Sequence, residues 1–154
     1  MPVSAEEGTP SRLAAILIAE QLGGSKTIGR RVHSDADLAR AVERGLPVAT
    51  IDALRKSGVT DQEIGDLVIK PRTLSHRRAK RSLLTPEESD RAVKIARIRA
   101  LAERTFADRT KADRWLHKKL SALDGRRPME LIRTHASARI VEDLLTRIAW
   151  GAAA

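Results

Sequence analysis

The run IKPRTLSHRRAKRS, residues 69–82, gathers Lys70, Arg72, Arg77, Arg78, Lys80 and Arg81 with no acid among them. Guanidinium and ammonium groups bind phosphate oxygens, and a guanidinium also forks onto the major-groove edge of guanine. Thr73 and His76, set between these cations, carry polar atoms that reach a base or a phosphate. The chemistry on offer is recognition of an anion, not the making or breaking of bonds. A charge run of this kind also serves as a plain solvated helix face, and composition does not separate the two. The 154 residues carry 29 Lys and Arg against 20 Asp and Glu, a formal net charge of +9. A field of that sign attracts DNA, RNA or an acidic protein alike.

Elsewhere the reactive residue types fail to assemble. The four histidines, His33, His76, His117 and His135, include no pair at i+3 or i+4. There is no cysteine, which removes disulfides and thiolate metal sites. GGSKT, residues 23–27, lacks the glycine before Lys26 and the preceding strand that a phosphate loop needs. No Gly-x-Ser-x-Gly elbow presents a nucleophile. The expectation is a binding protein, not an enzyme, with no metal and no cofactor. Near the start the longest apolar run, residues 13–19, is too short to span a bilayer, and no charged leader precedes it. A cytoplasmic protein without a membrane partner is expected.

The elements that must position the basic run are helical. Hydrophobic residues make up 42% of the chain but aromatics only 2%, so the core is built from Leu, Ile, Val and Ala, which suits helix-on-helix packing. Residues 1–9 form a polar start. Residues 10–22 read as a helix opened by Pro10 and closed by Gly23 and Gly24. Residues 23–34 read as a loop, and Ser34 caps a helix over 35–44, with Asp37 as the third residue of a short capping box. Three short helices follow at 47–58, 60–68 and 71–81, the second with a Thr60/Glu63 capping box and the third opened by Pro71. A longer one covers 83–106, capped by Thr85 and Glu88; the last three are 110–123, 128–134 and 137–150. No alternating strand pattern appears, so the fold class is all-α with about eight helices.

Two short helices, a tight turn and a third helix rich in cations make a helix-turn-helix pattern, with residues 71–81 as the recognition helix. On that helix Leu74, Pro71 and Arg78 share one stripe, while Arg72, Thr73, His76, Arg77 and Lys80 lie largely on the other side. Trp115, mid-helix beside Leu116 and Leu120, reads as core. Trp150, four residues from the C-terminus, is either tucked onto its own domain or held out for a partner.

Beyond the basic run, LTPEESDRAVKIARI, DRTKADRWL and above all LDGRRPMELIRTHASARIVEDLLTRIAWG resemble the Xre/MbcA/ParS-type antitoxins of RES-Xre toxin-antitoxin systems. The resemblance spans roughly residues 46–151. Its specific part is the C-terminal block, where Gly125, Pro128, Leu131, Thr134, Ala138, Val141, Glu142, Leu145, Ile148 and Gly151 fall on the family pattern. Three features depart from it: Lys70 stands where a capping Ser is common, WLHKKLSALDG replaces a Pro-Asn form, and HASAR replaces GAR. Lys70 cannot cap, and it sets a cation at the positive end of a helix dipole.

The resemblance implies an antitoxin that represses its own operon through the helix-turn-helix and blocks the active site of a NAD-consuming RES-domain toxin. The NAD then belongs to the toxin. It implies operator DNA on Lys70, Arg72, Thr73, His76, Arg77, Arg78, Lys80 and Arg81, and toxin on Arg139, Glu142, Arg147, Ile148, Trp150 and Gly151. The expected division is 1–45 for N-terminal helices with a role in dimerisation, 46–107 for the helix-turn-helix region with its following long helix, and 108–154 for toxin binding. A homodimer within a larger hetero-oligomer with the toxin is the implied assembly. The rival expectation is a protein-interaction adaptor or RNA-binding regulator with no toxin partner.

Overall fold

The computed structural model describes residues 9–151, with side chains from Ser11. The polar start expected before Thr9 and the tail at 152–154 lie outside the described residues. Among those described, nine α-helices and two 3-10 segments form and no strand does, so the all-α expectation holds. The chain divides into two compact units, Met1–Ala96 and Arg97–Ala154, with the division inside a helix.

The first unit holds α1 (Thr9–Gln21), α2 (Gly24–Ile28), α3 (Asp35–Arg44), α4 (Ala49–Ser57), α5 (Asp61–Leu67), α6 (Pro71–Ala79) and the first half of α7 (Pro86–Phe106). Helix α1 packs on α2, α3 and α4, and α2 also packs on α4. Ile18, Leu22, Leu46, Ile51, Leu54, Ile64, Leu74, Leu84 and Ile95 are buried. Each contributes on the order of 1.5–3 kcal/mol by leaving water.

Helix α2 corrects the loop expected at 23–34. It is five residues long and bounded by Gly23 and Gly29, both left-handed, with the Gly29 N–H donating to Ser25 O. So short an element shows no periodicity to read. The caps follow the sequence more closely. The Thr60 and Thr85 hydroxyls accept from the N–H groups of Glu63 and Glu88, whose carboxylates accept from the N–H groups of Thr60 and Thr85. The Ser34 hydroxyl accepts from Asp37 N–H, but the Asp37 carboxylate accepts from His33 N–H, one residue earlier than a box requires.

After Gly45 the chain is pinned. Leu46 N–H donates to the buried Ser89 hydroxyl at 2.8 Å, and Leu84 N–H donates to Leu46 O at 2.8 Å. Gly45 has a φ of +100°, and a Cβ there would overlap the Leu84 carbonyl, so the site admits only glycine.

The second unit holds the rest of α7, then α8 (Arg109–Leu116), 3-10 segments Ser121–Leu123 and Pro128–Arg133, and α9 (His135–Gly151). Helix α8 stops well before the expected residue 123. Leu120 leaves it to form an isolated antiparallel bridge with Arg126, around a turn in which Asp124 and Gly125 take positive φ. The segment expected as a helix at 128–134 is 3-10 and packs on α9. Its Met129, Leu131 and Ile132 are buried, as are Ala138, Val141 and Leu145 of α9. Asp108 caps α8 by accepting from Lys111 N–H. Trp115 is half-buried and meets Phe106 at 5.7 Å between ring centroids. Arg99, 1% exposed, reaches Asp113 at 3.1 Å. Among the described residues no helix is long and apolar enough to cross a membrane.

Candidate nucleic-acid interface and partner helix

Helices α4, α5 and α6 follow one another through short links, and the turn between α5 and α6 is rigidly held. The N–H groups of Val68 and Ile69 both donate to Ile64 O, and both side chains are buried. Arg91 of α7 donates from Nε to Val68 O at 2.9 Å, which satisfies the turn's carbonyl. Pro71 then opens α6, whose inner anchor is the buried Leu74. At Lys70 the backbone is extended and the side chain makes no capping bond, as the sequence requires.

The eight cationic and polar candidates separate into two groups. Lys70, Arg72, His76, Lys80 and Arg81 are exposed, and Thr73 is half-buried. Among the described residues, none of the Lys70, Arg72, Lys80 and Arg81 charges has a carboxylate within 4.0 Å. Arg77, expected on the outward side, turns inward instead. Its Nε and Nη2 fork onto Glu88 at 3.2 and 3.4 Å. Arg78 forks onto Asp52 of α4 at 3.1 and 3.0 Å. These two arginines fasten α6 to its neighbours, while the other four cations remain open to an external anion.

The fastening shows in the acidities. Asp52 is lowered below its ordinary value by the Arg78 hydrogen bonds, against a partial desolvation, with Arg55 assisting; Arg78 is correspondingly raised. At Glu88 burial raises the pKa, but the Thr85 N–H and the Arg77 guanidinium outweigh it, and the net shift is downward.

Arg81 has a φ of +53°. Ser82 N–H donates to Arg77 O and closes α6 in the manner of a Schellman turn, where glycine is the usual residue. A side chain there costs about 1–2 kcal/mol.

Helix α9 presents the second surface. Trp150 is 76% exposed, so it is not tucked onto its own domain. Arg139, Arg147 and Gly151 are exposed, while Glu142 and Ile148 are half-buried. Two apolar residues join them that sequence reasoning missed. Ile140 is 49% exposed and Leu144 is half-buried, and with Arg147 they form a stripe at i, i+4 and i+7. The signal was present in their offset from the buried Ala138, Val141 and Leu145.

Residues 37–97 match the family model of the antitoxin Xre-like helix-turn-helix domain, and residues 101–151 that of the antitoxin Xre/MbcA/ParS C-terminal toxin-binding domain. An antitoxin Xre of Pseudomonas putida is 34% identical over 118 residues, 77% of this chain and 74% of that one. The chain belongs to the Xre antitoxin family. A second antitoxin Xre, from Yersinia enterocolitica, is 30% identical over 129 residues, 82% of this chain and 87% of that one. The antitoxin is therefore a two-domain protein of a toxin-antitoxin system, from a family not known for enzymes. Helices α4 to α6 lie within the matched helix-turn-helix domain, and α8 and α9 within the matched toxin-binding domain.

Proposed function

We propose that this antitoxin represses its own operon through α6 and blocks the active site of a RES-domain, NAD-consuming toxin with the end of α9. What carries the reading is that one chain leaves unpaired cations on α6 and an unburied tryptophan near its C-terminus. Lys70, Arg72, Lys80 and Arg81 contact phosphates or guanine edges, with Thr73 and His76 beside them. The uncapped first turn of α6 accepts a phosphate, which also offsets the Lys70 charge. Arg77 and Arg78 hold the helix at the angle that places these groups.

Trp150, Ile140 and Leu144 supply apolar area to the toxin, and Arg147 a charge-assisted bond. Arg139, Glu142, Ile148 and Gly151 border that area. A homodimer sets two copies of α6 in successive major grooves about 34 Å apart, and Leu13, exposed on α1, supplies apolar surface for pairing.

The test is a footprint on the DNA upstream of the antitoxin's own gene, together with growth and NAD level in cells expressing a RES-type toxin. Protection of a palindrome, and restored growth with restored NAD, are expected. No footprint and no rescue would leave an adaptor or RNA regulator in its place.

A further inference from the structure

Most of the chain's positive charge lies outside the helix-turn-helix. Residues 97–154 hold 13 Lys and Arg against 7 Asp and Glu, a formal +6 of the total +9. Cations and acids balance from Pro128 onward, so the excess falls on residues 97–127, with a formal +2 on the end of α7 and +4 on α8 and the turn after it. Lys111, Arg114 and Lys118 stand at i, i+3 and i+7. The α8 backbone continues its turn through Lys118, whose N–H donates to Trp115 O. All three side chains are exposed, opposite the buried Ala112 and Leu116. Lys119 and Arg126 are exposed beside them.

Among the described residues none of these five cations has a carboxylate within 4.0 Å. The acids of α8 and its N-cap are engaged elsewhere: Asp108 caps α8, and Asp113 faces Arg99 and His117. Like charges at these spacings repel one another. The helix dipole rewards cations in a last turn, which accounts for Arg114 and Lys118 but not for Lys111 in the first turn. The exposed Trp150 and Ile140 of α9 make an apolar face, a different kind of surface from this cationic one.

We propose that the exposed α8 face, Lys111, Arg114 and Lys118 with Lys119 and Arg126, is a second, sequence-independent phosphate-binding surface for duplex DNA, separate from α6. Flexible cations without a carboxylate partner recognise a polyanion by charge and carry no base code. The proposal rests on the reading of α6 as an operator binder, because that brings the duplex to this chain. The α8 face then raises affinity for any duplex, while α6 sets the preference among sequences.

The full-length chain carrying Lys111→Gln, Arg114→Gln and Lys118→Gln tests it. A control chain carries Arg12→Gln, Lys26→Gln and Arg44→Gln, which removes the same charge from exposed positions elsewhere. Binding is followed by fluorescence anisotropy across a salt series, on the operator and on an unrelated duplex. The α8 variant is expected to lower the slope of log affinity against log salt by roughly 0.9 for each phosphate it no longer neutralises, equally on both duplexes, with the control close to wild type. An unchanged slope in the α8 variant overturns the proposal, as does an equal decrease in the control. So does unchanged DNA binding with weakened toxin capture, which assigns the face to an acidic protein. Failure of the wild-type chain to bind any duplex would instead overturn the operator reading itself.

Discussion

Arg77 and Glu88 form a forked ion pair, Nε to Oε1 at 3.2 Å, and the same Glu88 carboxylate accepts from Thr85 N–H at 2.8 Å. One nearly buried acid therefore both caps α7 and anchors α6. Its folded-state pKa lies below the ordinary glutamate value of 4.5, so the unfolded chain takes up the proton first. The stability it contributes is fully present above 4.5 and is lost as pH falls through the lower, folded-state value. Asp52, lowered by Arg78 in the same way, acts in the same direction.

Glu88→Gln keeps the shape of the cap and removes the charge opposite Arg77. It should cost about 1–3 kcal/mol at neutral pH and flatten the acid side of the stability curve. Urea melts from pH 7 down to pH 3 measure both. A variant as stable as the wild type at pH 7, with the same acid loss, would show that the pair is idle.

Arg81 occupies a left-handed position that glycine fills at lower cost. Arg81→Gly should raise stability by roughly 0.5–1 kcal/mol and weaken DNA binding at the same time. Thermal melts and anisotropy on one preparation give the two numbers. Gains in both would mean that the side chain does nothing for DNA.

Arg72→Ala and Lys80→Ala should leave the melting temperature unchanged and lower the salt slope by roughly 0.9 for each phosphate contact. Arg78→Ala should behave differently. It loosens α6 from α4, costs about 0.5–1 kcal/mol as a half-exposed pair, and weakens DNA binding through position, not charge. Equal salt slopes for Arg78→Ala and Arg72→Ala would remove the distinction between fastening and contacting residues.

Trp150→Ala and Ile140→Ala remove exposed side chains, so stability should change by no more than about 0.5 kcal/mol. Toxin capture, measured by titration calorimetry, should fall at least tenfold for Trp150→Ala, about 1.4 kcal/mol or more. A full-affinity Trp150→Ala chain would place the toxin surface elsewhere.

The sequence made the helices legible where a cap and a breaker bracket an apolar stripe. Thr60 with Glu63, Thr85 with Glu88, and Pro71 all mark element starts within a residue or so. It misled where spacing continued beyond the helix. Leu116 and Leu120 fit one helical face, yet Leu120 turns away because Arg126 offers it a bridge partner, a pairing that local pattern does not encode. Helix α2 was too short to show a period. Within the basic run, composition could not tell fastening arginines from free ones. That depends on Asp52, 26 residues from Arg78, and on a carboxylate already assigned to a cap. The α9 stripe was half visible: Trp150 stood out by type, while Ile140 and Leu144 have nothing in their type to set them apart from the buried Val141 and Leu145.

Separation of the two surfaces is tested most directly by truncating the chain after Thr146, which removes Arg147, Trp150 and Gly151 and leaves α6 untouched. The truncated chain should bind the operator with wild-type affinity and salt slope, and should fail to restore growth in cells expressing the toxin. Full rescue by the truncated chain, or loss of its operator binding, would contradict a protein that holds DNA at α6 and its toxin at the end of α9.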